Sequence, residues 1–197
     1  MTVAAMAAGA YGADFSHALH VALQPECTSC HAKAATSTRL EDNLLPAAEV
    51  CKPCHEQART IRQPSPVRLS KFDHAFHAKF GNVAPAIAAA IKGDTYLGDG
   101  ASRAKHLHTK NACAACHQGI EASTAANGKA HHPPMADCLV CHNKIDPPFS
   151  CETCHGTDKA LKTAQHTADY LDAHTRKSEK TGCASCHGKR FSCLGCH

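Results

Sequence analysis

Seven copies of one pentapeptide, C-x-x-C-H, constrain this chain more than any other feature of its sequence. They begin at residues 27, 51, 113, 138, 151, 183 and 193, and together they use all 14 cysteines. Histidine makes up 17 of the 197 residues. A histidine after every one of seven C-x-x-C pairs would therefore arise by chance on the order of once in ten million sequences. The pentapeptide is a repeated functional unit.

C-x-x-C-H is the attachment signature of c-type haem. Its two thiols add across the two vinyl groups of the haem, and the histidine that follows binds the iron. We therefore predict seven covalently bound haem c groups. The attachment residues are Cys27, Cys30, Cys51, Cys54, Cys113, Cys116, Cys138, Cys141, Cys151, Cys154, Cys183, Cys186, Cys193 and Cys196. The proximal iron ligands are His31, His55, His117, His142, His155, His187 and His197.

Two other uses of cysteine compete with haem. A secreted disulfide scaffold can contain many cysteines, and C-x-x-C pairs also occur in zinc sites. Neither requires a histidine directly after the second cysteine of every pair. The sequence therefore favours haem over both.

The composition leaves little material for an ordinary hydrophobic core. The chain has no Trp, six Phe and three Tyr, and burying alanine at about 25 cal/mol per Å² gives a weak driving force. Porphyrins would fill the interior instead. We expect a mainly α-helical chain with little regular secondary structure, wrapped round a string of seven haems. No segment alternates like a strand, whereas 84–91 and 161–181 read as helices and 92–100 as a loop.

Covalent haem attachment takes place outside the bacterial cytoplasm, so we expect the chain to be exported to the periplasm or the cell exterior. Residues 1–13 are predicted to be a signal-peptide remnant or a disordered N-terminus, because Ala8-Gly9-Ala10 has the form of a cleavage site. Residues 14–64 would form a two-haem module and 65–197 a five-haem module. No apolar run reaches the roughly 20 residues of a membrane span. The last haem, at His197, is expected near the surface.

The formal charge of +4 does not indicate nucleic-acid binding. Each haem brings two propionates, and seven ferric haems would add roughly −7 to the charge of the polypeptide. The loaded protein would therefore be slightly acidic.

Ten histidines lie outside the pentapeptides, and F-x-H-x-x-H occurs twice among them, at 15–20 and 72–77. This spacing places two imidazoles on one helical face. Each of seven irons needs a sixth ligand, and the methionine that would compete is scarce beyond the N-terminus. We expect the distal ligands to be His17, His20, His74, His77, His108, His132 and His174. The remaining histidines, His106, His131 and His166, would be spare.

The arrangement F-x-H-x-x-H followed by C-x-x-C-H, at 15–31, resembles the opening of the class III periplasmic cytochromes c, which carry three or four haems. The resemblance implies that His17 binds the iron of the haem on Cys27 and Cys30, and that His20 reaches a neighbouring haem. The copy at 72–77 departs from the family, because its next pentapeptide is 36 residues away.

Two classes of function follow from a chain of this kind. An electron carrier would have both axial sites of each iron filled, whereas a multihaem reductase needs an open iron. Ten histidines are available for seven irons, and all seven units end in His, so we expect an electron carrier and no enzyme. Its partners would be redox proteins. It could act as a periplasmic shuttle, as a subunit of a membrane or porin complex, or as a subunit of an extracellular filament.

Overall fold

The computed structural model describes residues 15–24, 26–56, 69, 71–125, 131–142, 151–156, 184–186 and 188. The N-terminal segment 1–13, the predicted helix at 161–181 and the final C-x-x-C-H unit lie outside these residues, as do Cys183 and His187 of the sixth unit. Within the described residues the fold is helical and contains no strand. This confirms the predicted fold class in its coarse form.

The helices are short, and most are one or two turns long. They are α1 (His17–Leu23), α2 (Cys27–Cys30), α3 (Ala48–Cys51), α4 (His74–Ala78), α5 (Ala84–Lys92), α6 (Gly100–Ala104), α7 (Ala112–Cys116) and α8 (Met135–Leu139). Three 3₁₀ turns span Ala32–Ala35, Ile120–Ala122 and Cys151–Thr153. The helix predicted at 84–91 is α5, and the predicted loop runs from its end to the start of α6.

The packed core of the described residues is small. Five of its eight buried apolar residues are alanines. The largest cluster joins Ile87 of α5, Tyr96 of the following loop and Ala136 of α8. Side chains of this size bury little area, so the protein needs another apolar component in its interior. Among the described residues, no helix has the length and apolar character required to cross a membrane.

A buried ion pair ties three helices together beside this cluster. The Nε atom of Arg103 in α6 donates to both carboxylate oxygens of Asp137 in α8, at 3.0 and 2.9 Å. The guanidinium also donates to the carbonyl of Ala115 in α7, and the hydroxyl of Tyr96 donates to Asp137 at 2.8 Å. Since α7 contains both cysteines of the third unit and α8 contains Cys138 of the fourth, the ion pair connects those two units.

Two backbone contacts join the N-terminal part of the chain to the rest. The amide of Ala18 in α1 donates to the carbonyl of Ser123 at 2.9 Å, and the amide of Ala75 in α4 donates to that of Ser37 at 2.9 Å. Both cross the predicted boundary between residues 64 and 65. The division into a two-haem and a five-haem module stays a prediction.

Candidate haem-binding sites

Each described C-x-x-C-H unit folds into the same single helical turn. The amide of its histidine donates to the carbonyl of its first cysteine, four residues earlier. The N···O distances for the histidines are 2.8 Å at His31, 2.9 Å at His55, 2.9 Å at His117, 2.9 Å at His142 and 2.8 Å at His155. One turn brings both thiols and the imidazole to one side of the backbone. This is the arrangement that a covalently attached haem requires. None of the eight cysteines of the first four units forms a disulfide.

The first F-x-H-x-x-H segment builds α1. Ser16 caps the helix, because its hydroxyl accepts a hydrogen bond from the amide of Leu19 at 3.3 Å. The ring of Phe15 contacts His17 edge-on, with ring centres 4.8 Å apart, and stacks on His20 at 4.3 Å. The Nδ1 atom of His20 donates to the carbonyl of Ser16 at 2.8 Å. A single phenylalanine and a capping serine therefore orient both imidazoles.

The second segment repeats this geometry in α4. Asp73 takes the place of the capping serine and accepts from the amide of Phe76 at 2.7 Å. Phe72 meets His74 edge-on at 4.7 Å and stacks on His77 at 4.4 Å. The Nδ1 atom of His77 donates to the carbonyl of Asp73 at 2.7 Å. The sequence repeat is therefore also a structural repeat, down to the ring contacts.

Four described C-x-x-C-H histidines each lie opposite a histidine from outside the units. The ring centres are 6.4 Å apart in His17–His31, 6.1 Å in His20–His55, 6.4 Å in His77–His142 and 6.4 Å in His117–His132. The first two pairs place both histidines of α1 opposite C-x-x-C-H histidines, and their binding to iron stays a prediction. Histidines up to 65 positions apart in sequence therefore lie with nearly the same distance between their ring centres.

This spacing fits an iron bound between the two rings. A metal–nitrogen bond of about 2 Å on each side, with roughly 1.1 Å from each nitrogen to its ring centre, separates the ring centres by about 6.2 Å. Within the described residues, no group of three or more His, Cys, Asp and Glu side chains could hold a metal ion. A haem iron needs only two side chains, because the porphyrin supplies its other four ligands. The residues present therefore fit haem.

Hydrogen bonds at Nδ1 set the orientation of these imidazoles. Besides His20 and His77, the Nδ1 atom of His31 donates to the carbonyl of Leu44 at 2.8 Å, and that of His117 donates to the carbonyl of His131 at 3.1 Å. A carbonyl can only accept, so the proton is on Nδ1 and the lone pair is on Nε2. Each of these rings therefore presents Nε2 as the atom that can bind iron.

Burial favours the neutral imidazole, which is the form that binds metal. Burial lowers the pKa of His117 to about 4, and the nearby His74 and His132 also lower it. Burial is likewise the main cause that lowers the pKa of His17, His74 and His132. Protons therefore compete weakly for these nitrogens near neutral pH.

A thiol in each of the third and fourth units has a raised pKa, although Cys113 and Cys138 are both exposed as whole residues. Burial, followed by the adjacent Cys27 thiol, raises the pKa of Cys113 to about 11. Burial and then Asp137 raise the pKa of Cys138 to about 11. Both sulfurs therefore remain uncharged at neutral pH, as apolar attachment points would.

The structure shows fewer contacts for the other predicted distal ligands. His74 lies in α4 with its Nδ1 atom buried and without a hydrogen-bond partner. His108 is exposed and forms no ring pair with another described histidine. His131 was predicted to be spare, and its Nδ1 atom donates to the carbonyl of Gln118 at 2.8 Å. His174 and the spare His166 lie outside the described residues, as do Cys183, His187, Cys193, Cys196 and His197.

Three residues near the sites were missed by the sequence analysis. The hydroxyl of Ser123 lies 3.2 Å from Nδ1 of His17, Asn111 contacts Cys27, and Arg103 reaches the third and fourth units. An asparagine two positions before a unit is a recognisable helix cap. The contacts of Ser123 with His17 and of Asn111 with Cys27 span 106 and 84 residues of sequence, and no local pattern indicates them.

Comparison with known families gives a match that covers most of the chain. Residues 19–197 match the model of the outer membrane cytochrome MtrC/MtrF-like family, domains II/IV. The chain belongs to this family. It is accordingly a multihaem c-type cytochrome that functions in extracellular electron transfer, with haem c as its cofactor. The family match supports this broader grouping but not the class III resemblance. No curated protein and no solved structure matches the chain.

Proposed function

We propose that this cytochrome carries electrons through seven covalently bound haems, each with two axial histidines. The observation that carries the proposal is the spacing of the four imidazole pairs, 6.1–6.4 Å between ring centres. Each pair combines one C-x-x-C-H histidine with one histidine from elsewhere. The count of seven rests on the seven units of the sequence.

The side chains that hold the cofactors follow from this arrangement. Each cysteine pair forms two thioethers, and the histidine of the unit is the proximal ligand. His17, His20, His77 and His132 are the distal ligands for the first, second, fourth and third units in that order. For the remaining three irons we propose His74, His108 and His174. The bound haem supplies an iron that takes up and releases one electron.

The protein environment favours ferric iron and low potentials. Histidine rather than methionine as sixth ligand lowers the reduction potential. Hydrogen bonds from Nδ1 to carbonyl oxygens, as at His20, His31, His77 and His117, increase the basicity of the ligating nitrogen. The chain should therefore work at the low-potential end of the range for haem.

Exposed apolar side chains beside the paired imidazoles fit porphyrin faces. Leu19 lies between the two histidines of α1, and Phe76 holds the same position in α4. They are 69% and 54% exposed. Covering them with porphyrin would add apolar area to a protein whose own core is small.

We propose that the protein is not an enzyme, because two imidazoles per iron leave no position for a substrate. The family description, outer membrane cytochrome, favours a role at the outer membrane among redox protein partners. The proposed setting is a conduit or carrier at the periplasmic or extracellular side, with a filament subunit as the alternative arrangement. A multihaem reductase with one open iron is the alternative that the next experiment addresses.

A reductive titration of the holoprotein tests the proposal. The intact mass should exceed that of the polypeptide by seven haems, and full reduction should consume seven electrons per chain. The reduced protein should return all of them to an oxidised c-type cytochrome. Reduced protein that instead turned over nitrite or hydroxylamine, or that bound carbon monoxide stoichiometrically, would support an open iron and an enzyme.

A further inference from the structure

The side chain of Asn111 connects two haem-attachment units that are far apart in sequence. Its Nδ2 atom donates to the sulfur of Cys27, in the first unit, at 3.2 Å. Its Oδ1 atom accepts from the amides of Cys113 and Ala114, in the third unit, at 2.9 and 3.4 Å. One planar amide thus caps α7 and at the same time contacts a sulfur 84 residues away.

The loop that holds Asn111 is itself fixed. The amide of Asn111 donates to the hydroxyl of Thr109 at 3.0 Å, and that hydroxyl donates to Glu121 at 3.0 Å. Asn82 donates to the carbonyl of Thr109 at 2.9 Å. These bonds fix the backbone from Thr109 to Asn111, so Asn111 has little freedom to leave Cys27.

A second contact brings the same two regions together independently. The amide of Ala18 in α1 donates to the carbonyl of Ser123, a few residues after the third unit. The helix that precedes the first unit is therefore also held against the segment that follows the third. The second unit, at 51–55, lies between them in sequence but takes no part in either contact.

We propose that Asn111 is a positioning residue that holds the first and third haems side by side and influences the potentials of both. The proposal rests on the proposed function, since it requires haems on Cys27 and Cys113. The amide N–H donates to the sulfur that becomes a thioether of the first haem, while the amide oxygen fixes the helix that holds the third. Exchange between them moves one electron and no proton: one iron is oxidised as the other is reduced.

Asn111→Asp tests the proposal in the holoprotein. The carboxylate keeps the helix cap, loses the N–H donor and places a negative charge between the two units. At a fixed applied potential, we expect the ratio of reduced to oxidised iron to fall roughly tenfold in the first and third haems together. Haem methyl resonances in a redox titration followed by NMR report each haem separately.

Gln24→Glu is the matched control, because it also turns a side-chain amide near the first unit into a carboxylate. The Nε2 atom of Gln24 donates to the hydroxyl of Ser29 at 2.8 Å, and within the described residues Gln24 makes no hydrogen bond to a cysteine or to the loop that holds Asn111. The control should not lower the ratio of reduced to oxidised iron in the first and third haems together. A shift confined to the third haem in the Asn111→Asp variant, with the first unchanged, would overturn the proposal.

A measurement on the unaltered holoprotein removes any dependence on how the variant folds. Nuclear Overhauser contacts should join substituents of the first haem to those of the third. Contacts of the third haem with the second in place of the first would overturn the proposal. Peptide masses that showed no haem on Cys27 or Cys113 would overturn the proposed function as well, which distinguishes the two failures.

Discussion

Replacing Arg103 with methionine removes the centre of the buried ion pair. Arg103 is 2% exposed and Asp137 6% exposed at their side chains. The substitution leaves the Asp137 carboxylate buried, with the hydroxyl of Tyr96 as its remaining side-chain donor. Breaking one partner of a buried pair costs about 3–5 kcal/mol. The Nη1 atom of Arg103 is buried without a partner, and its removal offsets part of that cost. We expect a loss of about 3 kcal/mol.

Denaturant unfolding of the holoprotein, followed by far-ultraviolet circular dichroism, measures this loss as a lower midpoint with an unchanged slope. Tyr96→Phe is the milder comparison, because it removes one hydrogen bond and should cost about 1 kcal/mol. The double variant Arg103→Met, Asp137→Leu should recover much of the stability, since apolar residues can replace a buried pair with little loss. A cost below about 1 kcal/mol for Arg103→Met, or strictly additive single costs, would refute the reasoning.

Three further predictions concern the iron ligands. Ser123→Ala should change the electron paramagnetic resonance g values of one low-spin haem, because Nδ1 of His17 loses its hydroxyl partner. The intact mass should show that no haem is lost. An unchanged spectrum would show that Ser123 does not orient the ring. His77→Ala should convert one haem per chain to a form that binds carbon monoxide. The control, His106→Ala, replaces an exposed histidine and should not. Equal carbon monoxide binding by the two variants would contradict the pairing of His77 with an iron. Acidification from pH 7 to 5 should leave the haem of the third unit low-spin, as followed by its own NMR resonances. The reason is that burial lowers the pKa of its ligand His117 to about 4, so protons compete for this nitrogen only at lower pH. High-spin shifts of this haem at pH 6 would contradict the prediction.

The local features of this fold follow from its sequence. The helix at 84–92 and the absence of strands from the described residues agree with the apolar pattern and with the lack of alternation. The repeated F-x-H-x-x-H spacing predicted two imidazoles on one helical face. Ser16 and Asp73, each directly before a histidine, are recognisable caps.

Contacts between distant segments could not be predicted in the same way. His131 and His132 are adjacent, and spacing alone does not decide between them. In the structure the ring of His131 faces the carbonyl of Gln118, and His132 lies opposite His117. The contacts of Asn111 with Cys27 and of Ser123 with His17 join segments more than 80 residues apart. A chain organised round haems has no strand or long-helix period that would indicate such pairs.

Electron paramagnetic resonance of the fully oxidised holoprotein, quantified against the haem content from intact mass, tests the central claim most directly. Two imidazoles on every iron predict that all ferric haems are low-spin, with a total intensity that accounts for seven haems per chain. A high-spin ferric signal approaching one iron per chain would contradict the account.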